Sequence, residues 1–181
     1  MAPEPRDPAP DPILAAPIRL LLSDVDGVLT GGELIFDSAG VEAKQFHVRD
    51  GMGIKLWQAA GFGFGLVSSR NSPVVTRRAA ELRIPHVLQG VADKLPAVRE
   101  LAEKLNVTAD QIAYIGDDLP DLPVLDWVGL AIAPADACQD CLHRVDWTTR
   151  LPGGRGAVRE LIERLMRGKS IWEEYASGVT A

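Results

Sequence analysis

Short apolar runs and amphipathic stretches alternate along most of the chain. Ile18 to Ser23 reads as a buried strand, since Leu20, Leu21 and Leu22 follow one another with no polar face between them. Further strands are predicted at Phe62 to Val67, His86 to Leu88, Gln111 to Ile115, Gly129 to Ile132 and near Arg144 to Trp147. Helices fall between them. One runs from about Met52 to Ala60, with Ile54, Leu56 and Trp57 as its apolar stripe and Gly61 as its C-cap. Pro73 to Leu82 is opened by Ser72 as cap and Pro73 at its first position. Others are predicted at Asp93 to Leu105, Leu122 to Trp127, Ala135 to Leu142 and Ala157 to Arg167. Residues 31–48 hold two β-like runs around a polar turn ending in Gly40, a hairpin inserted after the first strand. Strands alternating with helices predict an α/β fold with a doubly wound, mostly parallel sheet.

The ends are different in kind. Met1 to Ala16 carries Pro3, Pro5, Pro8, Pro10 and Pro12 among charged residues, and reads as a disordered Pro-rich tail over 1–16. The folded domain is then 17–168, and 169–181 a C-terminal tail. A chain of 181 residues is long enough for one domain with a proper core. Its 46% hydrophobic and 24% charged residues suit a soluble globular protein. A net charge of -6 argues against a nucleic-acid surface, where Lys and Arg must neutralise phosphates. No apolar run reaches membrane-spanning length, and the N-terminus lacks the basic start and apolar core of a secretory signal. Cys138 and Cys141 lack the second pair of a structural zinc site and read as reduced thiols on a helix, as expected of a cytoplasmic protein.

The candidate chemistry collects at strand ends. Asp24 and Asp26 close the first strand, Ser68, Ser69 and Arg70 follow the second, Lys94 opens a later helix, and Asp117 and Asp118 follow another strand. In parallel α/β sheets, ligands bind beyond the C-terminal strand edge. Converging Asp carboxylates repel each other unless a cation compensates them, and all-oxygen donors suit Mg²⁺. Ser68, the N–H groups of Ser69 and Arg70, and the Lys94 ammonium offer donors to a tetrahedral anion. Metal, lysine and hydroxyl together are what a transferring phosphoryl group requires. One acid of the first pair can act as nucleophile, and its neighbour two residues on can serve as general acid and base. A sharp turn at Gly27 would set the two on different trajectories.

Asp24-Val25-Asp26-Gly27-Val28-Leu29-Thr30, Ser68, Lys94 and Gly116-Asp117-Asp118 resemble, in order, the four motifs of the haloacid dehalogenase-like phosphatases. The resemblance implies a Rossmann-like fold with Asp24 as nucleophile, Asp26 as general acid and base, and Ser68 and Lys94 on the phosphoryl group. It implies Mg²⁺ held by the Asp24 and Asp117 carboxylates and the Asp26 carbonyl, with Asp118 close behind. Three more segments narrow it: Phe46 to Ile54, Gln89 to Lys94 and Gly153 to Glu160 resemble the 3-deoxy-D-manno-octulosonate 8-phosphate phosphatases. Members of that family lack a large cap domain. They are homotetramers in which the hairpin and the C-terminal segment help complete a neighbour's site. A substrate shell of Asp26, His47, Val48, Arg49, Asp50, Gly51, Lys55, Ser69, Arg70, Arg78 and Lys94 is implied, binding an acidic sugar phosphate of lipopolysaccharide inner-core biosynthesis. The chain departs from the usual pattern at Ser69, where Gly is more common, and at Lys55, where Arg is expected. Two other substrate or functional classes are weighed against it. A nine-carbon sialic or deaminated sialic acid 9-phosphate is disfavoured by Arg70. A non-catalytic assembly domain, like those fused to sugar cytidylyltransferases, or a receiver domain is disfavoured by the intact Asp24/Asp26 pair and the motif order.

Overall fold

The structure, a computed structural model, describes residues 12–177. Six parallel strands form the sheet: β1 (Leu20–Ser23), β4 (Gly63–Val67), β5 (His86–Leu88), β6 (Ile112–Ile115), β7 (Leu130–Ala133) and β8 (Trp147–Thr148). Their spatial order is β5-β4-β1-β6-β7-β8. The chain therefore builds outward from β1 on one side, then returns to build outward on the other. The switch point lies between β1 and β6, where an open parallel sheet leaves a crevice at its C-terminal edge. Register pairs Ser23 with Leu66 on one side and Ile115 on the other, so the residues after all three strands emerge together.

Alternation along β1 divides the core. Leu21 faces one hydrophobic cluster and Leu20 and Leu22 face the other. The first cluster is covered by α2 (Val48–Ala59), α3 (Pro73–Glu81) and α7 (Ala157–Gly168). The second is covered by α4 (Lys94–Leu105), α5 (Leu122–Leu125) and α6 (Gln139–Leu142). Helix α7 buries Val158, Leu161, Ile162, Leu165 and Met166, a stripe at helical spacing. Among the described residues, no helix is long and apolar enough to cross a membrane.

The inserted hairpin pairs β2 (Ile35–Phe36) with β3 (Glu42–Ala43) in antiparallel fashion. Its turn is closed by Asp37 Oδ1, which accepts the N–H groups of Ala39 at 2.9 Å and Val41 at 2.8 Å. Leu34, Ile35, Phe36 and Val41 are exposed.

Several boundaries differ from expectation, each for a local reason. Helix α2 starts four residues early, because His47 Nδ1 accepts the Arg49 N–H at 3.3 Å and caps the helix. The helix expected from Ala135 shrinks to α6. Cys138 stays extended there, its N–H donated to the Asp117 carbonyl at 2.8 Å. The last strand shifts to Trp147–Thr148, because the chain before it turns to let Asp146 accept the Ala131 N–H at 2.9 Å.

Both ends hold more structure than the tails drawn from composition. A short α1 (Pro12–Ala15) buries Ala15, and α8 (Trp172–Ser177) buries Trp172. The guanidinium groups of Arg159 and Arg167 each lie 5.1 Å from the Trp172 ring centroid, which ties the C-terminal segment to α7. The rest of the expected tails, residues 1–11 and 178–181, lies outside the described residues.

The Gly153-Gly154 pair supports the loop that follows β1. Gly154 has φ of 64° and donates its N–H to the Val28 carbonyl at 2.9 Å. A Cβ on Gly153 would overlap the Gly27 carbonyl oxygen. Gly153→Ala is therefore expected to lower stability by about 1–3 kcal/mol, the usual cost of overpacking, in urea denaturation. An unchanged transition would show that this loop can yield.

Candidate active site

The crevice at the switch point is a cleft of about 310 Å³. Asp24, Asp26, Ser68, Ser69, Arg70, Lys94, Asp117 and Asp118 all line it. Asp24 continues the sheet, donating its N–H to the Ile115 carbonyl at 3.0 Å. The backbone then turns tightly, with Leu29 and Thr30 donating to the Val25 carbonyl at 2.9 and 3.0 Å. Gly27 sits in this turn at φ of 90°, and the Asp117 carboxylate occupies the space its side chain would need. The turn sends Asp24 into the buried floor and leaves Asp26 at the more open mouth.

Lys94 is the hub of the floor. Its side chain is 2% exposed, with Nζ 2.9 Å from Asp24 Oδ2 and 2.7 Å from Asp121 Oδ1. Burial works against its charge, but the two carboxylates outweigh that and hold its pKa above the ordinary value. Ser68 is buried beside them, its Oγ accepting the Arg70 N–H at 3.2 Å.

Asp121 has no place among the residues expected from sequence. It is fully buried, and every acceptor it has is engaged: Oδ1 by Lys94 and by the Tyr114 hydroxyl at 2.5 Å, Oδ2 by the N–H groups of Asp117 at 3.1 Å and Asp118 at 3.2 Å. Its signal was the spacing Asp117-x-x-x-Asp121, which a short helical turn after β6 folds back on itself. Lys44 is the second addition. It reaches from the residue after β3 to form an ion pair with Asp26.

The floor is electrostatically unbalanced as it stands. Burial first, then the charge of Asp121, lifts the Asp24 pKa to about 6 against the pull of Lys94. Burial, then the charges of Asp24 and Asp121, lifts Asp117 to about 8. Asp117 Oδ1 is buried without a hydrogen-bond partner among the described residues. Asp24, Asp117 and Asp121 each offer a carboxylate oxygen within 4.8 Å of the others. Asp121 gives both oxygens to four donors, Asp24 accepts only the Val25 N–H at 2.6 Å and Lys94, and Asp117 Oδ1 is bare, so Asp24 and Asp117 could hold a cation. Hard oxygen donors crowded together fit Mg²⁺.

The remaining expected substrate residues do not line this cleft. Asp50 is buried and accepts the Arg159 N–H at 2.8 Å in the first turn of α7. Arg49 lies in a separate groove with Arg150 and Arg159. Arg78 pairs with Glu81 at 2.8 Å, and its guanidinium lies 5.9 Å from the Phe46 ring centroid. Gly51 packs against Arg78, His47 caps α2, Val48 is exposed, and Lys55 lies with Gln58 and Arg83 on the outer surface.

A family model described as haloacid dehalogenase-like hydrolase matches residues 82–160. The chain is 43% identical over 157 residues to the 3-deoxy-D-manno-octulosonate 8-phosphate phosphatase KdsC of Escherichia coli K12, spanning 87% of this chain and 84% of that protein. The chain belongs to this phosphatase family. Solved members superpose closely. The Yersinia pestis enzyme gives a TM-score of 0.88 at 41% identity, covering 90% of this chain and 88% of its own. The Moraxella catarrhalis enzyme, in complex with magnesium ion, phosphate ion and a KDO molecule, gives 0.90 at 37% identity, covering 92% and 95%.

The raised carboxyl pKa values set a pH dependence in this phosphatase. Folded Asp24 and Asp117 hold protons that the unfolded chain has released, so their contribution to stability falls as pH rises from about 4 to about 8. Metal-stripped protein is expected to lose melting temperature across that window. Added Mg²⁺ should raise the melting temperature more at pH 8 than at pH 5, where protons compete for the same oxygens. A Mg²⁺ effect independent of pH, or one retained in Asp117→Asn, would contradict this assignment.

Proposed function

We propose that the chain is a Mg²⁺-dependent phosphatase that hydrolyses 3-deoxy-D-manno-octulosonate 8-phosphate to 3-deoxy-D-manno-octulosonate and phosphate. The observation that carries this reading is the cleft at the switch point. It unites two carboxylates on divergent trajectories, a buried lysine, a buried hydroxyl and an acid cluster that calls for a cation. The substrate comes from the relatives, one of which was solved with KDO and phosphate bound.

In this reading Asp24 attacks phosphorus, forming an aspartyl phosphate as the bond to the sugar oxygen breaks. Asp26 gives its proton to the departing alkoxide. It then takes a proton from the water that attacks phosphorus and frees Asp24. Lys94, the Ser68 hydroxyl and the Ser69 N–H hold the equatorial oxygens, where charge accumulates, and the Arg70 N–H, donated to Ser68 Oγ in the free cleft, orients that hydroxyl. Mg²⁺, held by Asp24, Asp117 and the Asp26 carbonyl, neutralises phosphoryl charge when bound. Asp118, beside Asp117 and tied to Asp121 through its N–H, supports that site. Arg70, 43% exposed at the mouth, would meet the anionic sugar.

His47 to Gly51, Lys55 and Arg78 enter this reading through assembly. They lie outside the chain's own cleft, and the hairpin leaves Leu34, Ile35, Phe36 and Val41 exposed. A homotetramer, in which the hairpin and the C-terminal segment reach a neighbour's site, would cover those side chains and bring cationic residues to the substrate. The free thiols of Cys138 and Cys141 fit the cytoplasm.

Asp24→Asn and Asp26→Asn are each expected to lower Mg²⁺-dependent phosphate release by at least about 10²-fold with the fold intact by circular dichroism. Undiminished turnover in either would remove the mechanism. Comparing kcat/KM on the eight-carbon and nine-carbon acid phosphates should favour the eight-carbon compound, and a clear preference for the other would reassign the substrate. Light scattering at micromolar concentration should give a tetramer; a monomer would remove the shared-site arrangement.

A further inference from the structure

The mouth of the cleft contains a ring of alternating charge. Lys44 contacts Asp26 Oδ1 and lies 3.4 Å from Glu42 Oε1. Glu42 Oε1 accepts from Arg70 at 3.1 Å, and Arg70 Nε is 3.8 Å from Asp26 Oδ2. The other oxygen of Glu42 accepts from the Ser72 hydroxyl. The Lys44 side chain is 1% exposed although it belongs to a hairpin whose apolar residues face outward. Burial of that long stem brings its ammonium to Asp26 and Glu42. Asp26 is held unequally: Oδ1 is paired with Lys44, while Oδ2 is buried with no hydrogen-bond partner among the described residues.

We propose that Lys44 is a positioning residue that pins Asp26 through Oδ1 and so leaves Oδ2, which faces Arg70 Nε at 3.8 Å, as the oxygen that exchanges the proton once Arg70 turns to the substrate. The proposal rests on the reading of Asp26 as general acid and base. An ion pair to one oxygen restrains the carboxylate about its last torsion, and a restrained geometry favours proton transfer to a leaving oxygen. Glu42 serves one step further out, holding Lys44 and Arg70 in place. In the first half-reaction, the Oδ2 proton moves to the alkoxide as its bond to phosphorus breaks. In the second, Oδ2 takes a proton from the attacking water as the Asp24–phosphorus bond breaks, which restores the starting state.

Leaving-group dependence separates this from a structural role. The value of kcat/KM reports steps up to loss of the alcohol, so a proton-transfer defect falls on poor leaving groups and spares good ones. With the full-length Mg²⁺-loaded protein, Lys44→Met is expected to lose about 10-fold or more on 2-glycerol phosphate and far less on p-nitrophenyl phosphate. Lys44→Arg should recover part of the loss. Glu42→Gln, which keeps the ammonium, should show the same selectivity more weakly, and it decides the matter if Lys44→Met does not fold. An equal loss on both esters, or no loss, would overturn the proposal while a selective defect in Asp26→Asn left that residue's role standing. Asp26→Asn losing equally on both esters would overturn both.

Discussion

The structure turns on carboxylates forced together at one strand edge and the buried ammonium that keeps them there. Asp24 arrives from β1, Asp117 from the end of β6 and Asp121 from the turn beyond it. Lys94 stands between Asp24 and Asp121, at 2.9 and 2.7 Å. One lysine does not balance three acids, and the excess appears as raised carboxyl pKa values and an Asp117 oxygen with no partner among the described residues. A folded domain tolerates that imbalance when a cation relieves it. In the proposed reading, binding a divalent ion and holding a phosphoryl group are two uses of the same charge arrangement.

Much of the surrounding backbone serves that edge. Gly27 gives its side-chain space to the Asp117 carboxylate, and the Gly153-Gly154 pair comes close enough to bond the carbonyl of Val28. Asp50, a few residues into α2, anchors the first turn of α7 instead of pointing to the cleft. The Arg-Asp-Gly and Gly-Gly-Arg-Gly segments are therefore in part devices that fix a helix and a loop around the acids. The hairpin differs. Its apolar residues are exposed, while Glu42 and Lys44 turn inward to the mouth, so polar contacts register it against the site.

The alternation of strands and helices was readable from the sequence because burial imposes short-range patterns: Leu20 to Leu22 for a strand covered on both faces, and the α7 stripe for a helix covered on one. The Asp24/Asp26 pair, Ser68, Lys94 and Asp117 were readable because each closes or follows such an element in an order that one chemistry explains. The early start of α2 and the ordering of α1 and α8 were not, since they depend on a cap and on burial against α7, with Arg159 and Arg167 over Trp172.

The sequence by itself determined which side chains are present at the C-terminal edge of a parallel sheet, and with them the class of chemistry. Tertiary structure decided how their charges are shared. Asp121 is a turn residue until Lys94, Tyr114 and two backbone N–H groups converge on it. Lys44 is a hairpin lysine until β3 folds over Asp26. Hydrophobic patterning is local and shows along the chain, but a carboxylate's partners and its proton affinity depend on groups brought near by folding from distant positions.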